Sequence, residues 1–133
     1  MNNLPLISGY TAVLLAMLQV TLMIKVGNAR RASNIPLGDG GKPDLLMKIR
    51  RHANLAENAP LFLILLGFLE SMNGPKMAVI TLASVFLVAR LSHAYALSGP
   101  DKPLAARAVG AFGTVFGVAG GATALLWHLI TMS

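Results

Sequence analysis

The residues best suited to chemistry lie together in residues 48–60, which combine arginine, histidine, asparagine and glutamate side chains. At about 100° per residue, Arg50, Asn54 and Glu57 fall on one face of a helix. The stretch runs directly into residues 61–69, which are apolar enough to lie in lipid. Polar groups at membrane depth are costly and usually face a protein interior or a cavity. We therefore interpret this face as a polar recognition strip that presents a cation, an amide and an anion in a row.

The composition predicts the setting in which this strip works. The chain has 133 residues, of which 55% are hydrophobic and only 12% charged, and its mean hydropathy is +0.65. Soluble domains carry about 25% charged residues, so the composition indicates a membrane protein. At this length we expect one compact unit, a single domain over residues 1–133.

Four apolar segments are long enough for the ~20 residues that a spanning helix needs. We predict membrane-spanning helices over residues 4–26, 44–72, 76–97 and 104–132. The predicted fold class is therefore an all-α membrane protein, a four-helix bundle. The apolar run of the first segment exceeds a signal-peptide core, so we expect it to be retained as a span.

Local signals refine the second span and the segment before it. Residues 28–43 are rich in glycine and proline, which predicts a loop. Asp44 is a suitable N-cap for the second span. Pro60 falls in the middle of this span, where it removes one backbone hydrogen bond and is expected to kink the helix.

Basic residues are distributed very unevenly about the four spans. Of the eleven Lys and Arg residues, only Lys76 falls on one side. The other ten fall on the opposite side, namely Lys25, Arg30, Arg31, Lys42, Lys48, Arg50, Arg51, Arg90, Lys102 and Arg107. By the positive-inside rule, the loops after spans one and three are cytoplasmic and both termini lie on the other side. The same rule explains the net charge of +6, so we expect no nucleic-acid partner.

Two kinds of site are disfavoured by residue content. The chain has no cysteine, which excludes disulfides, thiolate metal sites and a cysteine nucleophile. His52 and His93 are too few, and too poorly supported by carboxylates, for a metal site. A thiol that reacts in this protein must therefore arrive with a substrate.

Several arginines surround a single deep anion, Glu57. The arginines that the spans place near one membrane face are Arg30, Arg50, Arg90 and Arg107. The surplus positive charge predicts an anionic ligand, because the planar guanidinium group binds carboxylates in a bidentate way. Glu57 is suited to balance an ammonium group on the same ligand. The alternative is a set of interhelical salt bridges, such as Glu57 with Arg50 or Arg90.

The fourth span carries small-residue packing motifs. Gly113 and Gly117 are separated by three residues, as are Gly117 and Gly121. Such spacing allows two helices to approach closely. It fits a tightly packed bundle and an oligomer equally well.

The strip and its surroundings carry a resemblance to a known family. Arg50-x-x-x-Asn54-x-x-Glu57-x-x-Pro60, followed by an apolar run, resembles the signature of the MAPEG family, the membrane-associated proteins of eicosanoid and glutathione metabolism. The resemblance covers nearly the whole chain. It implies a homotrimer of four-helix subunits, with glutathione bound between neighbouring subunits near the cytoplasmic face.

The resemblance also implies roles for individual residues. By position, six residues match glutathione-binding positions of the family, namely Arg30, Arg50, Asn54, Glu57, Arg90 and His93. Arg107 matches the arginine that stabilises the glutathione thiolate, and it is therefore the expected catalytic residue. Family enzymes often place a tyrosine where this chain has Leu97, with Tyr95 on another face, and Asn58 stands where some synthases carry tyrosine. These departures favour a general transferase over eicosanoid-specific activities.

Three functions are compatible with these features to different degrees. The first is a membrane-embedded glutathione transferase or peroxidase that acts on hydrophobic electrophiles or lipid hydroperoxides, in contact with membrane lipids. The second is a non-enzymatic member of the same fold that binds lipid or organises partners. The third, a proton-coupled transporter, is disfavoured because the first span has no carboxylate and arginines would keep Glu57 ionised.

Overall fold

The computed structural model describes residues 4–99 and 101–132, and the regular structure in these residues is entirely helical. The four helices are α1 (Leu6–Ser33), α2 (Pro43–Ser71), α3 (Lys76–Ala96) and α4 (Leu104–Met132). Each helix is long and apolar enough to cross a membrane. The prediction of an all-α membrane protein built from four spans is therefore confirmed.

The C-terminal end of α1 is the largest departure from the predicted boundaries. We predicted a span that ends at residue 26 and a loop from residue 28, but the helix continues to Ser33. It ends where Asn34 adopts a left-handed conformation with φ of 54°. The N–H of Ile35 then donates to the carbonyl of Arg30 at 3.1 Å, a common way to terminate a helix. The loop prediction was wrong for residues 28–33 because glycine and proline occur only after this point.

The start of α2 also differs from the prediction. The helix begins one residue early, at Pro43, and Asp44 lies in its first turn without making a side-chain cap. Proline is well suited to the first helical position because its missing N–H would have no helical partner there. Asp44 instead places a negative charge near the positive end of the helix dipole. Pro60 lies inside α2, which is helical on both sides of it; the kink itself stays a prediction.

The core of the bundle lies between α2 and α3. The rings of Phe62 and Phe86 stack with centroids 3.8 Å apart and an interplanar angle of 7°, and both side chains are fully buried. Around them, α3 packs most extensively on α4 and α1 on α2, while the backbones of α1 and α4 do not approach each other closely within the described residues. The outer surface carries large exposed apolar side chains such as Met17, Phe112 and Trp127, as expected for a surface that faces lipid.

Glycines bring α4 against α3 within one chain. A Cβ atom on Gly110 would lie 2.6 Å from the Cβ of His93, and one on Gly113 would lie 2.6 Å from the Cβ of Ala89. A Cβ on Gly117 would lie 2.8 Å from the Phe86 ring. The sequence left open whether these glycines serve the bundle or an oligomer. The structure uses Gly113 and Gly117 for packing inside the bundle.

Replacing Gly110 with alanine is expected to destabilise the protein by about 1–3 kcal/mol, because the added methyl group would collide with the backbone of α3. The free energy of unfolding in mixed detergent micelles measures this. Gly67→Ala is the matched control, since nothing lies within 4 Å of its added Cβ. Equal stability of the two variants would contradict the close approach of α3 and α4.

Two charged side chains of α2 contact the ends of neighbouring helices. The Glu70 carboxylate accepts hydrogen bonds from the N–H groups of Ile7 (2.9 Å) and Ser8 (2.7 Å) and from the Ser8 hydroxyl (2.6 Å). At the other end of the bundle, Arg51 Nη1 donates to the carbonyl of Ala94 at 3.2 Å. The Glu70 carboxylate thus lies at the N-terminus of α1, and the Arg51 guanidinium group lies at the C-terminus of α3. Each charge is opposite in sign to the partial charge of that helix end, which stabilises the contact.

Candidate functional site

The polar strip of α2 divides between the surface and the interior. Arg50 and Glu57 are exposed, whereas Asn54 is half-buried. The Asn54 side-chain oxygen accepts a hydrogen bond of 2.5 Å from Arg90 Nη1 on α3, and its carbonyl accepts one of 2.8 Å from the Asn58 amide. The outer part of the strip therefore consists of Arg50 and Glu57, while Asn54 connects it to the core.

Arg90 lies in the interior and joins three helices. Its side chain is 3% exposed. Besides Asn54 on α2, it donates from Nη2 to the carbonyl of Gly110 at 3.0 Å and to the hydroxyl of Thr114, both on α4. Its guanidinium carbon also lies 5.5 Å from the centre of the Phe86 ring. This geometry gives Arg90 a packing role, and its predicted direct contact with glutathione stays a prediction.

Glu57 has no ionic partner among residues 4–99 and 101–132 of its own chain. Within the described residues, its carboxylate forms neither a hydrogen bond nor an ion pair with another side chain. The alternative of salt bridges from Glu57 to Arg50 or Arg90 is therefore not supported. Counted from Ser71 at the end of α2, Glu57 lies about 21 Å along the helix and Arg50 about 31 Å. If the hydrocarbon layer of about 30 Å begins near Ser71, we expect Glu57 to fall within it and Arg50 at its edge.

His93 and Arg107 lie together where α3 meets α4. His93 is half-buried, and its backbone packs against Gly110. Arg107 is exposed in the first turn of α4, about one turn before the Gly110 that packs against His93. The Ser92 hydroxyl donates to the carbonyl of Ala106 at 3.0 Å, which fixes this corner. The structure therefore leaves the guanidinium group of Arg107 available at the surface.

Arg30 is half-buried and contacts the loop that follows its own helix. Its Nη1 donates to the carbonyl of Gly38 at 2.7 Å and to that of Ile35 at 3.4 Å. Arg30 therefore organises the α1–α2 loop. Its predicted role as a glutathione ligand is not tested by these contacts.

Sequence reasoning missed the structural role of Arg51. This side chain is only 7% exposed, whereas the neighbouring Arg50 faces outward. The missed signal is helical phase, because Arg51 lies on the same face as Leu55 and Phe62, both buried. Thr114 was also missed; it is buried against Arg90 and lies one turn after Gly110.

The predicted site residues of the single chain do not lie around a common cavity. The predicted site residues do not line any of the main open cavities that lie between the described helices and loops, such as those beside Phe112 and beside Gln19. Small-molecule sites usually bury about 70–90% of their ligand. In residues 4–99 and 101–132, no cluster of three His, Asp or Glu side chains could hold a metal ion. The exposed charged groups among the predicted site residues are Arg50, Glu57 and Arg107, and recognition of a ligand by them stays a prediction.

Comparison with known proteins identifies the family of the chain. The model of the MAPEG family matches residues 8–127. Two relatives, both called inner membrane protein YecN, come from Escherichia coli strain K12 and from Escherichia coli O6:H1. Each is 34% identical over 91 residues, which cover 68% of this chain and 69% of the relative. The resemblance in sequence is thus confirmed, and this four-helix membrane protein belongs to the MAPEG family.

Proposed function

We propose that the chain is a membrane-embedded glutathione transferase, with reduction of lipid hydroperoxides as the related activity of the same site. The observation that carries the proposal is the exposed pair of Arg50 and Glu57 on α2, about 10 Å apart along the helix and unpaired with each other. Glutathione has two carboxylates and one ammonium group, which fit the arginines and Glu57 respectively. The family to which the chain belongs includes glutathione transferases.

Arg107 supports the chemical step in this proposal. A free thiol has a pKa near 8.5 and is mostly protonated at neutral pH, and a nearby guanidinium group favours the reactive thiolate. The thiolate then attacks an electrophilic carbon, the new S–C bond forms, and the leaving group departs with the bonding electron pair. Hydrophobic electrophiles reach the thiolate from the bilayer. The exposure of Arg107 near the α3–α4 corner is consistent with this role.

The proposal includes an orientation and an assembly. We name the end of the bundle that carries the α1–α2 and α3–α4 loops the basic end. It faces the cytoplasm, where glutathione is available, and both termini lie on the opposite side. The names of the relatives support a bacterial inner membrane. Because one chain leaves Glu57 unpaired and exposed, the active form is an oligomer, a homotrimer by family resemblance.

A non-enzymatic lipid-binding protein is the second candidate function. It is favoured by an open apolar groove of about 870 Å³ between α3 and α4, lined among others by Phe112, Phe116 and Trp127. Such a groove suits an acyl chain. In that case Asn54 and Arg90 serve packing alone.

Calorimetry of glutathione binding to the detergent-purified protein tests the proposed function. The double variant Arg50→Ala/Glu57→Gln is expected to weaken binding about 100-fold or more, since it removes two charge-assisted contacts worth about 1.5–3 kcal/mol each. Arg31→Ala is the matched control, because Arg31 is an exposed arginine at the same end of the bundle. Unchanged glutathione affinity in the double variant would show that the polar strip of α2 is not part of the glutathione site. Lack of binding by the folded unmodified protein would favour the non-enzymatic candidate.

A further inference from the structure

A cavity of about 590 Å³ lies at the basic end, between the end of α1 and the start of α2. It is lined on the α1 side by Ala29, Ala32 and Ser33, and on the other side by residues 41–45 and Lys48. The small side chains of Ala29 and Ala32 leave the space open. None of the residues proposed to bind glutathione lines this cavity. It is therefore distinct from the proposed glutathione site.

Hydrogen bonds hold the part of the α1–α2 loop that forms one wall. Gly41 adopts a left-handed backbone conformation with φ of 72°, and its N–H donates to the Asp39 carboxylate at 3.2 Å. The N–H of Lys42 donates to the carbonyl of Asp39 at 3.0 Å. The contact of Arg30 with the carbonyl of Gly38 ties the same loop to α1. The loop therefore has a defined conformation that places Lys42 directly before α2.

Two lysine side chains of the lining have no partner for their ammonium groups. Lys42 is exposed and Lys48 is half-buried, and neither ammonium group forms a hydrogen bond or an ion pair with another described residue. Asp44 is the only acidic residue of the lining, and the Ser33 hydroxyl is a further polar group. The lining thus carries two positive charges and one negative charge. The positive-inside rule explains why lysines lie at this end, but not why two of them line one cavity.

The depth of the cavity indicates which anion it meets. Counted from Ser71 at the end of α2, Lys48 lies about 34 Å along the helix and Asp44 about 40 Å. If a hydrocarbon layer of about 30 Å begins near Ser71, both residues lie beyond it, at the level of the lipid headgroups. Phosphodiester groups of phospholipids occupy this level, and anionic lipids attract lysines close to the surface.

We propose that this cavity binds the headgroup of an anionic phospholipid, such as phosphatidylglycerol, from the leaflet at the basic end. The phosphodiester oxygens accept hydrogen bonds from Lys42, Lys48 and the Ser33 hydroxyl, and the Asp44 carboxylate accepts from a headgroup hydroxyl. One anionic lipid neutralises the surplus positive charge of the lining. Phosphatidylcholine has no net charge and no hydroxyl or N–H donor for Asp44. The inference does not depend on the proposed transferase activity.

The first test measures lipid binding to the detergent-purified protein by native mass spectrometry, with phosphatidylglycerol or with phosphatidylcholine of the same acyl chains. The unmodified protein is expected to bind phosphatidylglycerol more tightly. Lys42→Gln/Lys48→Gln is expected to weaken this binding about 5-fold for each lysine, or about 25-fold for both. Lys25→Gln/Arg31→Gln is the matched control, because it removes the same charge from exposed positions on α1 outside the cavity lining. It is expected to retain most of the affinity.

The second test changes the shape of the cavity and keeps its charge. Ala32→Leu places a larger side chain in the lining and is expected to remove the preference for phosphatidylglycerol. Ala32 is exposed in the structure, so the change should preserve the subunit, and circular dichroism checks its helix content. Ala105→Leu, at an exposed position near the start of α4, is expected to retain the preference. This pair decides the matter if the lysine variant fails to fold.

Inorganic phosphate, added as a competitor at the same concentration as the lipid, distinguishes a headgroup from a soluble anion. It is expected not to displace phosphatidylglycerol, because it has no acyl chains that hold it at this level. Displacement would overturn the lipid assignment. Equal binding of the two lipids by the unmodified protein would also overturn the inference, as would equal losses in the lysine variant and its control. None of these measurements uses glutathione, so failure of this site and failure of the proposed activity are distinguishable.

Discussion

Replacing Arg90 with leucine is expected to destabilise the protein by about 2–6 kcal/mol. The substitution removes the donor shared by Asn54 on α2 and Thr114 on α4. It leaves two acceptors without their partner, at about 1–3 kcal/mol each. Reversible unfolding in mixed micelles, followed by circular dichroism, measures the loss. Arg90→Lys is expected to recover only part of it, because an ammonium group lacks the planar fork that reaches both helices.

Arg50→Leu is the matched control for this prediction. It removes the same charge from α2, but Arg50 is exposed, and exposed substitutions usually change stability by less than about 0.5 kcal/mol. A similar decrease in the free energy of unfolding in the two variants would show that Arg90 does not hold the helices together. Arg90 would then be available as a ligand group, as the family resemblance implies.

Replacing Arg107 with alanine is expected to lower turnover about 10²- to 10³-fold, the usual cost of removing one group that stabilises developing or reacting charge. Glutathione affinity should change far less, because in the proposed site Arg50 and Glu57 remain to bind the charged groups of the tripeptide. Turnover is measured with an apolar chloronitrobenzene substrate. The ultraviolet absorbance of bound thiolate, which should disappear in the variant, reports the ionisation directly.

Arg107→Lys is the control that separates charge from structure. It keeps a cation at the start of α4 and is expected to recover part of both turnover and thiolate absorbance. Arg31→Ala removes a different exposed arginine and should affect neither. Unchanged turnover in Arg107→Ala would exclude Arg107 from the chemical step, even if glutathione binds.

The sequence predicted the four spans well because hydropathy and helix breakers determine them locally. The bounds of α4 agree with the prediction, those of α2 differ by one residue at each end, and α3 ends one residue early. The end of α1 was misplaced because the glycines and prolines of residues 34–43 were used to predict a loop from residue 28 onward, although residues 28–33 contain neither. Polar residues without glycine or proline continue a helix beyond the membrane, which hydropathy alone does not reveal.

The candidate site was less predictable because residue type does not determine which way a side chain faces. Arg50, Arg51 and Arg90 have the same chemistry, yet only Arg50 is exposed. Burial of Arg90 depends on acceptors from α2 and α4, which are distant in sequence. The phase of the buried residues on α2 could have identified Arg51, but no local pattern identifies the partners of Arg90.

The contact between Glu70 and the start of α1 also determines at which end α1 extends beyond the hydrocarbon layer of the bilayer. A helix of 28 residues is about 42 Å long, whereas the hydrocarbon layer is about 30 Å thick. Glu70 holds Ile7 and Ser8 against the end of α2, so the start of α1 and the end of α2 lie at the same depth. We therefore expect the part of α1 that exceeds the hydrocarbon thickness, about 12 Å, to extend beyond the membrane at the basic end. Arg30 and Arg31 therefore lie among headgroups and water. We therefore expect changes in bilayer thickness to alter the surroundings of Arg50 and Arg107, and with them the proposed site.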